Sequence, residues 1–232
     1  MRVLITAGGT DVPIDGVRRL TNTSTGATGV ALARVFAARG AQVVLLHAAR
    51  AAVTGIEGEC DTFTTFGELE ARLRRLLSER TFDAVVHLAA VSDYRVAAVE
   101  VDGMVVPHGD RGKIPSGHDV VLRLAPTTKL IDRLRDWSRN PSVRVIGFKL
   151  TDHEDDGHRQ RAVRQLLDRG SADLVVHNDL SEIDDDRHRA TIWDRAGIVA
   201  TTETKEQLGR ALFDLLAGTP AGPGPARTDD PR

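Results

Sequence analysis

Apolar positions along the chain fall into short runs that alternate with stripes of helical spacing. Val3 to Thr6 is a β-branched, apolar run closed by Ala7, Gly8 and Gly9, and it predicts a buried parallel strand ending in a tight turn. Ala27 to Ala38 carries Val30, Leu32, Ala33, Val35 and Phe36 at helical spacing and stops at Arg39-Gly40. Gln42 to Leu46 predicts the second strand. Gly67 to Ser78 predicts an amphipathic helix on Leu69, Leu73, Leu76 and Leu77, and Asp83 to Leu88 a third buried strand. Val120 to Leu124 alternates as a strand does, and Thr127/Thr128 cap a helix from Lys129 to Asp136 that ends by Asn140-Pro141. Val143 to Phe148 and Asp173 to His177 read as strands on either side of an Arg-rich helix, Asp155 to Leu167. Ala190 to Trp193 and Ile198 to Thr201 make a hairpin, and a Thr204/Gln207 capping box opens a closing helix that runs to Leu216. This alternation predicts an α/β fold built on a doubly wound, mainly parallel sheet.

Two stretches break the rhythm. Thr10 to Thr25 is polar, with Pro13, Asp15, Arg18 and Arg19. Val96 to Gly117 is rich in Gly, Pro and small residues and carries Arg111 and Lys113. A long connection inside a compact domain is usually functional, so the expected architecture is a Rossmann-like sheet with a flexible flap and a C-terminal β-hairpin. Residues 1–217 are expected to form a single domain, with 218–232, rich in Pro, Gly and Asp, as a disordered tail.

Composition narrows the classes. With 232 residues, 41% hydrophobic and 28% charged, the chain suffices for one well-buried core. A net charge of -2 and a pI near 6.4 argue against a nucleic-acid partner, which needs a basic face. The lone Cys60, between Glu59 and Asp61, reads as a surface or half-buried bystander in a reducing compartment, because acidic neighbours oppose thiolate formation. The chain opens MRVLITAGG without a long apolar stretch, and nothing approaches a membrane span, so a cytoplasmic location is expected.

The chemistry is organised around Leu20 to Val30, LTNTSTGATGV. TGATG opening a helix looks like a dinucleotide-binding turn, but that turn should follow the first strand directly, and here a polar loop intervenes. The second strand ends Leu45-Leu46-His47-Ala48, without the acid that would hold a ribose. The alternative is a helix N-terminus that offers N–H groups and a positive dipole end to a phosphate or carboxylate, with Asn22, Ser24 and Thr25 beside it.

ITAGGT followed by Pro13-Ile14-Asp15-Gly16-Val17-Arg18, then TNTSTG, HLAAVSDY, Lys113-Ile114, IGFKL, ADLVVHNDL with a downstream HRA, and TKEQL span nearly the whole chain in this order. Together they resemble phosphopantothenoylcysteine synthetase, in its stand-alone bacterial form. The resemblance implies a ligase of coenzyme A biosynthesis in which 4'-phosphopantothenate attacks CTP to give an acyl-cytidylate and pyrophosphate. Cysteine then forms the amide and releases CMP, with Mg2+ accompanying the triphosphate. It further implies a homodimer and a separate phosphopantothenoylcysteine decarboxylase as a possible partner.

By the same resemblance, Asn22 holds the acyl-nucleotide and Lys113, on the flap, neutralises charge as it forms. Arg18, Asn22, Ser24, Thr25 and Gly26 fall in the substrate segment. Gly8, Gly9, Ala89, Ala90, Asp93, Thr127, Thr128, Lys129, Phe148, Arg164 and Arg169 fall to the nucleotide. Phe148 is nearly as well explained as a core side chain. Thr128-Lys129 stands where the family often has Pro-Asp, and arginines replace two helix lysines, which changes geometry while keeping charge. No protein ligand set for the metal is assigned. The acidic runs around Asp152 to Asp156 and Asp184 to Asp186 read as solvated charge, and His87 as a satisfied core histidine. A ligase with another acid and amine, an NAD(P)-dependent oxidoreductase and a non-catalytic nucleotide-binding subunit remain as alternatives.

Overall fold

The computed structural model describes residues 1–56, 58–152, 155–183 and 187–218. Strand β1 (Arg2–Ala7) leads through a small hairpin, β2 (Asp11–Pro13) and β3 (Arg19–Thr21), into helix α1 (Ala27–Ala38). Then come β4 (Gln42–Ala48), β5 (Glu59–Phe63), α2 (Phe66–Glu79) and β6 (Ala84–His87). An antiparallel unit follows: β7 (Tyr94–Val101), β8 (Met104–Val106) and β9 (Val120–Pro126). A 3-10 turn (Leu130–Arg133) runs into the short α3 (Leu134–Trp137). The chain continues with β10 (Arg144–Thr151), α4 (Asp156–Asp168), β11 (Leu174–Asp179), the hairpin β12 (Ala190–Trp193) and β13 (Ile198–Thr202), and α5 (Lys205–Ala217).

The eight-stranded sheet has the order β13-β12-β11-β10-β6-β1-β4-β5, parallel from β11 to β5, with the C-terminal hairpin added antiparallel. Successive residues point to opposite faces. Leu4, Val44, Leu46, Val85, Val145 and Val175 pack with α2, α3 and α4. Val3, Ile5, Leu45, Val86, Ile146 and Val176 pack with α1 and α5. Both faces are covered, which is why the strands read as unbroken apolar runs. On the α1/α5 side, Phe36 and Phe213 meet edge to face with ring centroids 5.5 Å apart, and the Arg39 guanidinium lies 5.0 Å over the Phe213 ring.

The expected doubly wound sheet and its hairpin are present. Helix α1 has the expected bounds, and Thr204 accepts from Gln207 N–H while Gln207 Oε1 accepts from Glu203 N–H, as the capping box predicts. Three regions differ. Strand β5 went unread because ECDTF carries charge and only Phe63 is buried, as suits an edge strand. The helix expected over Lys129 to Asp136 is instead the 3-10 turn and one turn of α3. The break expected from Val96 to Gly117 is a correction: its first part belongs to β7 and β8, a hairpin turning at Asp102 (φ 50°) and Gly103 (φ 79°). An Asp-Gly pair between apolar runs is the usual mark of such a turn. The three-stranded sheet β8-β7-β9 buries Val96, Val99 and Val101 against Val12, Ile14 and Ile114. The expected tail beyond Gly218 lies outside the described residues, as does the acidic run Asp184 to Asp186. Among the described residues, no helix is long and apolar enough to cross a membrane.

Candidate functional site

Within the parallel part of the sheet, β5-β4-β1-β6-β10-β11, the chain reverses its direction of advance between β1 and β6. Crossovers on either side of that point leave a crevice outside the strands' carboxyl ends. The floor of this crevice is backbone. Gly9 and Ala90 continue the pairing of β1 with β6 as an isolated parallel bridge. Ala90 N–H donates to the Gly8 carbonyl at 2.9 Å, and the Ala90 carbonyl accepts from Thr10 N–H at 3.2 Å.

Hydroxyls beneath the floor fix the next segment. Thr6 Oγ1 accepts from Ala89 N–H at 3.1 Å, and Thr10 Oγ1 accepts from Ser92 N–H at 2.9 Å. The buried His87 ring meets Thr6 Oγ1 through Nδ1 at 3.0 Å. Burial pushes the His87 pKa down to about 4, so the ring is neutral at pH 7 and shares one hydrogen with the Thr6 hydroxyl. The expectation of a satisfied core histidine agrees with this geometry, and His87 also supports the floor.

One wall is the segment from Asn22 into α1. Asn22 Nδ2 donates to the Ala90 carbonyl at 3.1 Å, which leaves its second N–H for a ligand. The Asn22 carbonyl lies over Gly9, where a Cβ would come within 2.8 Å of it, so a side chain there would push this wall away. Ser24 N–H donates to the same carbonyl at 2.9 Å, and Thr25 Oγ1 accepts from Ala27 N–H at 3.3 Å. Gly26, at φ 78°, turns the chain into α1 and provides no side-chain cap, so the helix start keeps N–H groups for an anion. Gly29 brings that start onto the sheet, for a Cβ there would lie 2.5 Å from the Cβ of Ala7.

The opposite wall joins Asp93, Thr127 and Lys129. Thr127 N–H donates to the Asp93 carbonyl at 2.9 Å, and its hydroxyl donates to the Ser92 carbonyl at 2.7 Å. Lys129 Nζ pairs with Asp93 Oδ1 at 2.5 Å on an exposed surface, beside the exposed Thr128. Phe148 is half-buried and packs on the α1/α5 core.

Lys113 is exposed and stands directly before the buried Ile114. Arg18 Nη1 donates to Asp15 Oδ2 at 2.6 Å and to the Ile114 carbonyl at 3.1 Å. Its remaining guanidinium donors stay on a half-exposed side chain. Arg18, Asn22 and Lys113 are thus joined through β3 and the loop that follows β8. Arg169 is not brought to this group, and Arg164 lies exposed on α4. Arg169 Nε donates to the Gln165 carbonyl at 2.9 Å and Nη1 lies 3.9 Å from Asp132, toward the amino end of β11. Arg159 of α4 does reach the carboxyl edge, where its Nη2 lies 3.2 Å from the buried Asp179.

Sequence reasoning gave no role to Thr6, Thr10 or Asp15, each polar and buried. A threonine within an otherwise apolar strand was the available mark for the first. His188, read only as part of the HRA motif and given no role, has its Nε2 3.3 Å from Thr28 Oγ1 on the first turn of α1, and its Nδ1 is buried without a partner among the described residues. Burial, with the Lys205 charge, lowers the His188 pKa to about 4. Among the described residues no three His, Cys, Asp or Glu side chains cluster as a metal site. The end of β4, Leu45-Leu46-His47-Ala48, carries no acid, and Arg50 just after it pairs with the buried Asp11.

Residues 1–219 match the family of the DNA/pantothenate metabolism flavoprotein C-terminal domain. The coenzyme A biosynthesis bifunctional protein CoaBC of Thermococcus kodakarensis is 34% identical over 217 residues, covering 93% of this chain and 50% of the relative. The chain therefore spans about half the length of the curated relatives it matches. The crystal structure of the DNA/pantothenate metabolism flavoprotein from Streptococcus pneumoniae superimposes with a TM-score of 0.82 at 28% identity, covering 94% of this chain and 99% of that one. A Cab2 mutant in complex with phosphopantothenate-cysteine shares the fold, with a TM-score of 0.70 at 20% identity over 94% of this chain and 87% of that one. With its doubly wound sheet and backbone-floored crevice, this chain belongs to the family of the DNA/pantothenate metabolism flavoprotein C-terminal domain.

Proposed function

We propose that the chain is a carboxylate–amine ligase of coenzyme A biosynthesis that joins 4'-phosphopantothenate to cysteine at the expense of a nucleoside triphosphate, CTP. The observation that carries this reading is the meeting of the Asn22 amide with the Ala90 carbonyl over Gly9, beside the start of α1. An acyl-nucleotide needs a place for anionic oxygens and a neutral donor for its carbonyl. The helix start offers the first and the spare Asn22 N–H the second.

In the first step a carboxylate oxygen of the acid attacks the α-phosphorus of the triphosphate, and the bond to pyrophosphate breaks. Lys113 offsets the charge that gathers on the phosphate oxygens. In the second step the neutral amine of cysteine attacks the acyl carbon, the nucleoside monophosphate leaves with its electron pair, and the amine nitrogen loses a proton. Mg2+ would be held by the triphosphate's own phosphates with at most one or two carboxylates, and would offset phosphate charge there. Asp93 is the exposed carboxylate of the crevice, and its partner Lys129 lies at the same wall. The expected homodimer is supported by the apolar side chains of Met104, Val105, Val121 and Leu124, exposed on β8 and β9. A separate phosphopantothenoylcysteine decarboxylase would supply nothing to this crevice and would act on its product.

The test is pyrophosphate release with phosphopantothenate, cysteine and either CTP or ATP, in wild type and in Asn22→Asp. Acid-dependent release with CTP is expected, and the variant should accumulate the acyl-nucleotide. Release that does not depend on phosphopantothenate would overturn the reading. A ligase for another acid and amine is the second reading, favoured by Thr128-Lys129 at the nucleotide wall. Release that requires a different acid would select it.

A further inference from the structure

The loop that carries Lys113 is held in place by one buried carboxylate. Asp15 is 1% exposed and lies in the turn between β2 and β3. Its Oδ1 accepts from Val17 N–H at 2.9 Å and Arg18 N–H at 2.7 Å, so its own turn orients the carboxylate. Its Oδ2 accepts from Arg18 Nη1 at 2.6 Å and from Ile114 N–H at 3.0 Å. Because Arg18 Nη1 also donates to the Ile114 carbonyl, both backbone polar groups of the residue after Lys113 are held by one ion pair.

Around that pair the two segments are laced together. Gly16 N–H donates to the Gly112 carbonyl at 2.9 Å, and Gly109 N–H donates to the Ile14 carbonyl at 3.1 Å. A Cβ at Gly16 would come within 2.6 Å of the Gly112 carbonyl oxygen. The Ile114 side chain is buried with Val12, Ile14, Val96, Val99 and Val101.

We propose that Asp15 is a positioning residue for the ligase reaction, a latch that sets the backbone of the Lys113 loop against the hairpin that delivers Arg18 and Asn22. A buried carboxylate is costly unless its lone pairs are bonded, and here the bonds go to the two segments that bear the reacting side chains. An apolar side chain would hold the loop down without fixing its register. The Ile114 N–H, assisted by Arg18 and its own turn, holds the Asp15 carboxyl well below the usual carboxylate range. The latch therefore stays charged across the range in which an enzyme of this kind works.

The role of the latch in turnover rests on the ligase reading, whereas its hold on the loop does not, and two measurements separate them. By hydrogen exchange, Asp15→Asn should speed amide exchange in residues 109–116 by tenfold or more, with the sheet unchanged. Gly16→Ala, which leaves the carboxylate intact and displaces Gly112, should do the same and serves if Asp15→Asn does not fold. By pyrophosphate release, Asp15→Asn should lower kcat about tenfold with KM for the triphosphate within twofold. Added to Lys113→Ala, it should cost less than a further twofold. Unchanged exchange in 109–116 would overturn the latch. Full multiplication of the two kinetic losses would overturn its action through Lys113. A wild type that releases no pyrophosphate would instead sink the ligase reading, with the exchange result still deciding the latch.

Discussion

Ala90 and Ile114 are both fixed through N–H and carbonyl, yet by different chemistry. At Ala90 the N–H goes to the Gly8 carbonyl and the carbonyl takes Thr10 N–H, so the sheet itself continues into the crevice. At Ile114 the partners are side chains, Asp15 and Arg18, which belong to a hairpin of two short strands outside the main sheet. The floor draws on the cooperativity of a sheet buried on both faces. The loop draws on one ion pair and a small satellite core. A crevice that must both hold a substrate and admit it gains from this division, since regions with fewer buried contacts open at lower free energy.

That contrast can be pressed at three points. Lys113→Ala should produce the largest effect, a loss of turnover of ~100-fold or more, or about 3 kcal/mol of barrier, as for removal of a charge-stabilising group. Steady-state kinetics beside a thermal melt would check it, since the exposed side chain should leave the melting temperature unchanged. A melt lowered in step with activity would mean that Lys113 supports the fold.

Gly29→Ala tests the floor. Its Cβ would lie 2.5 Å from that of Ala7, so α1 must shift on the sheet, at a cost of about 2 kcal/mol for overpacking. The denaturation midpoint should fall and nucleotide affinity with it. Retained stability would show that the helix start moves more freely than its packing implies.

The third point is pH. His87 titrates near 4 when folded and near 6.5 when unfolded, so the unfolded chain binds the extra proton first. Stability from this group is therefore present above pH 6.5 and is lost as pH falls towards 4, by about 2 kcal/mol between pH 7 and pH 5. His177 and His188 are shifted in the same direction and add to the slope. The Asp15 latch has the same sign in a lower window: its contribution stands above the unfolded carboxylate value and fades only as pH falls below it. Denaturant melts of wild type and His87→Gln at pH 7 and pH 5 would check this. An unchanged pH difference in the variant would remove His87 as its source.

The sequence by itself determined the layered α/β plan, because a strand buried on both faces must be apolar throughout and a helix must show a stripe. Val3 to Thr6, Val30 to Phe36 and Leu69 to Leu77 each state their element within a single window. Its resemblance to a known family also drew Gly8, Gly9, Ala89, Ala90 and Asn22 into one expected site. The three-stranded sheet was legible only in its last strand, Val120 to Leu124, and its core is assembled from Val12, Ile14, Val96, Val99, Val101 and Ile114, which no local window contains. Only the tertiary structure decided that Asp15 reaches Ile114, that Arg169 turns to Asp132 and that Thr6 bridges His87 and Ala89. Polar contacts of this kind carry no periodicity. Their partners lie far apart along the chain, and packing alone brings them within hydrogen-bond distance.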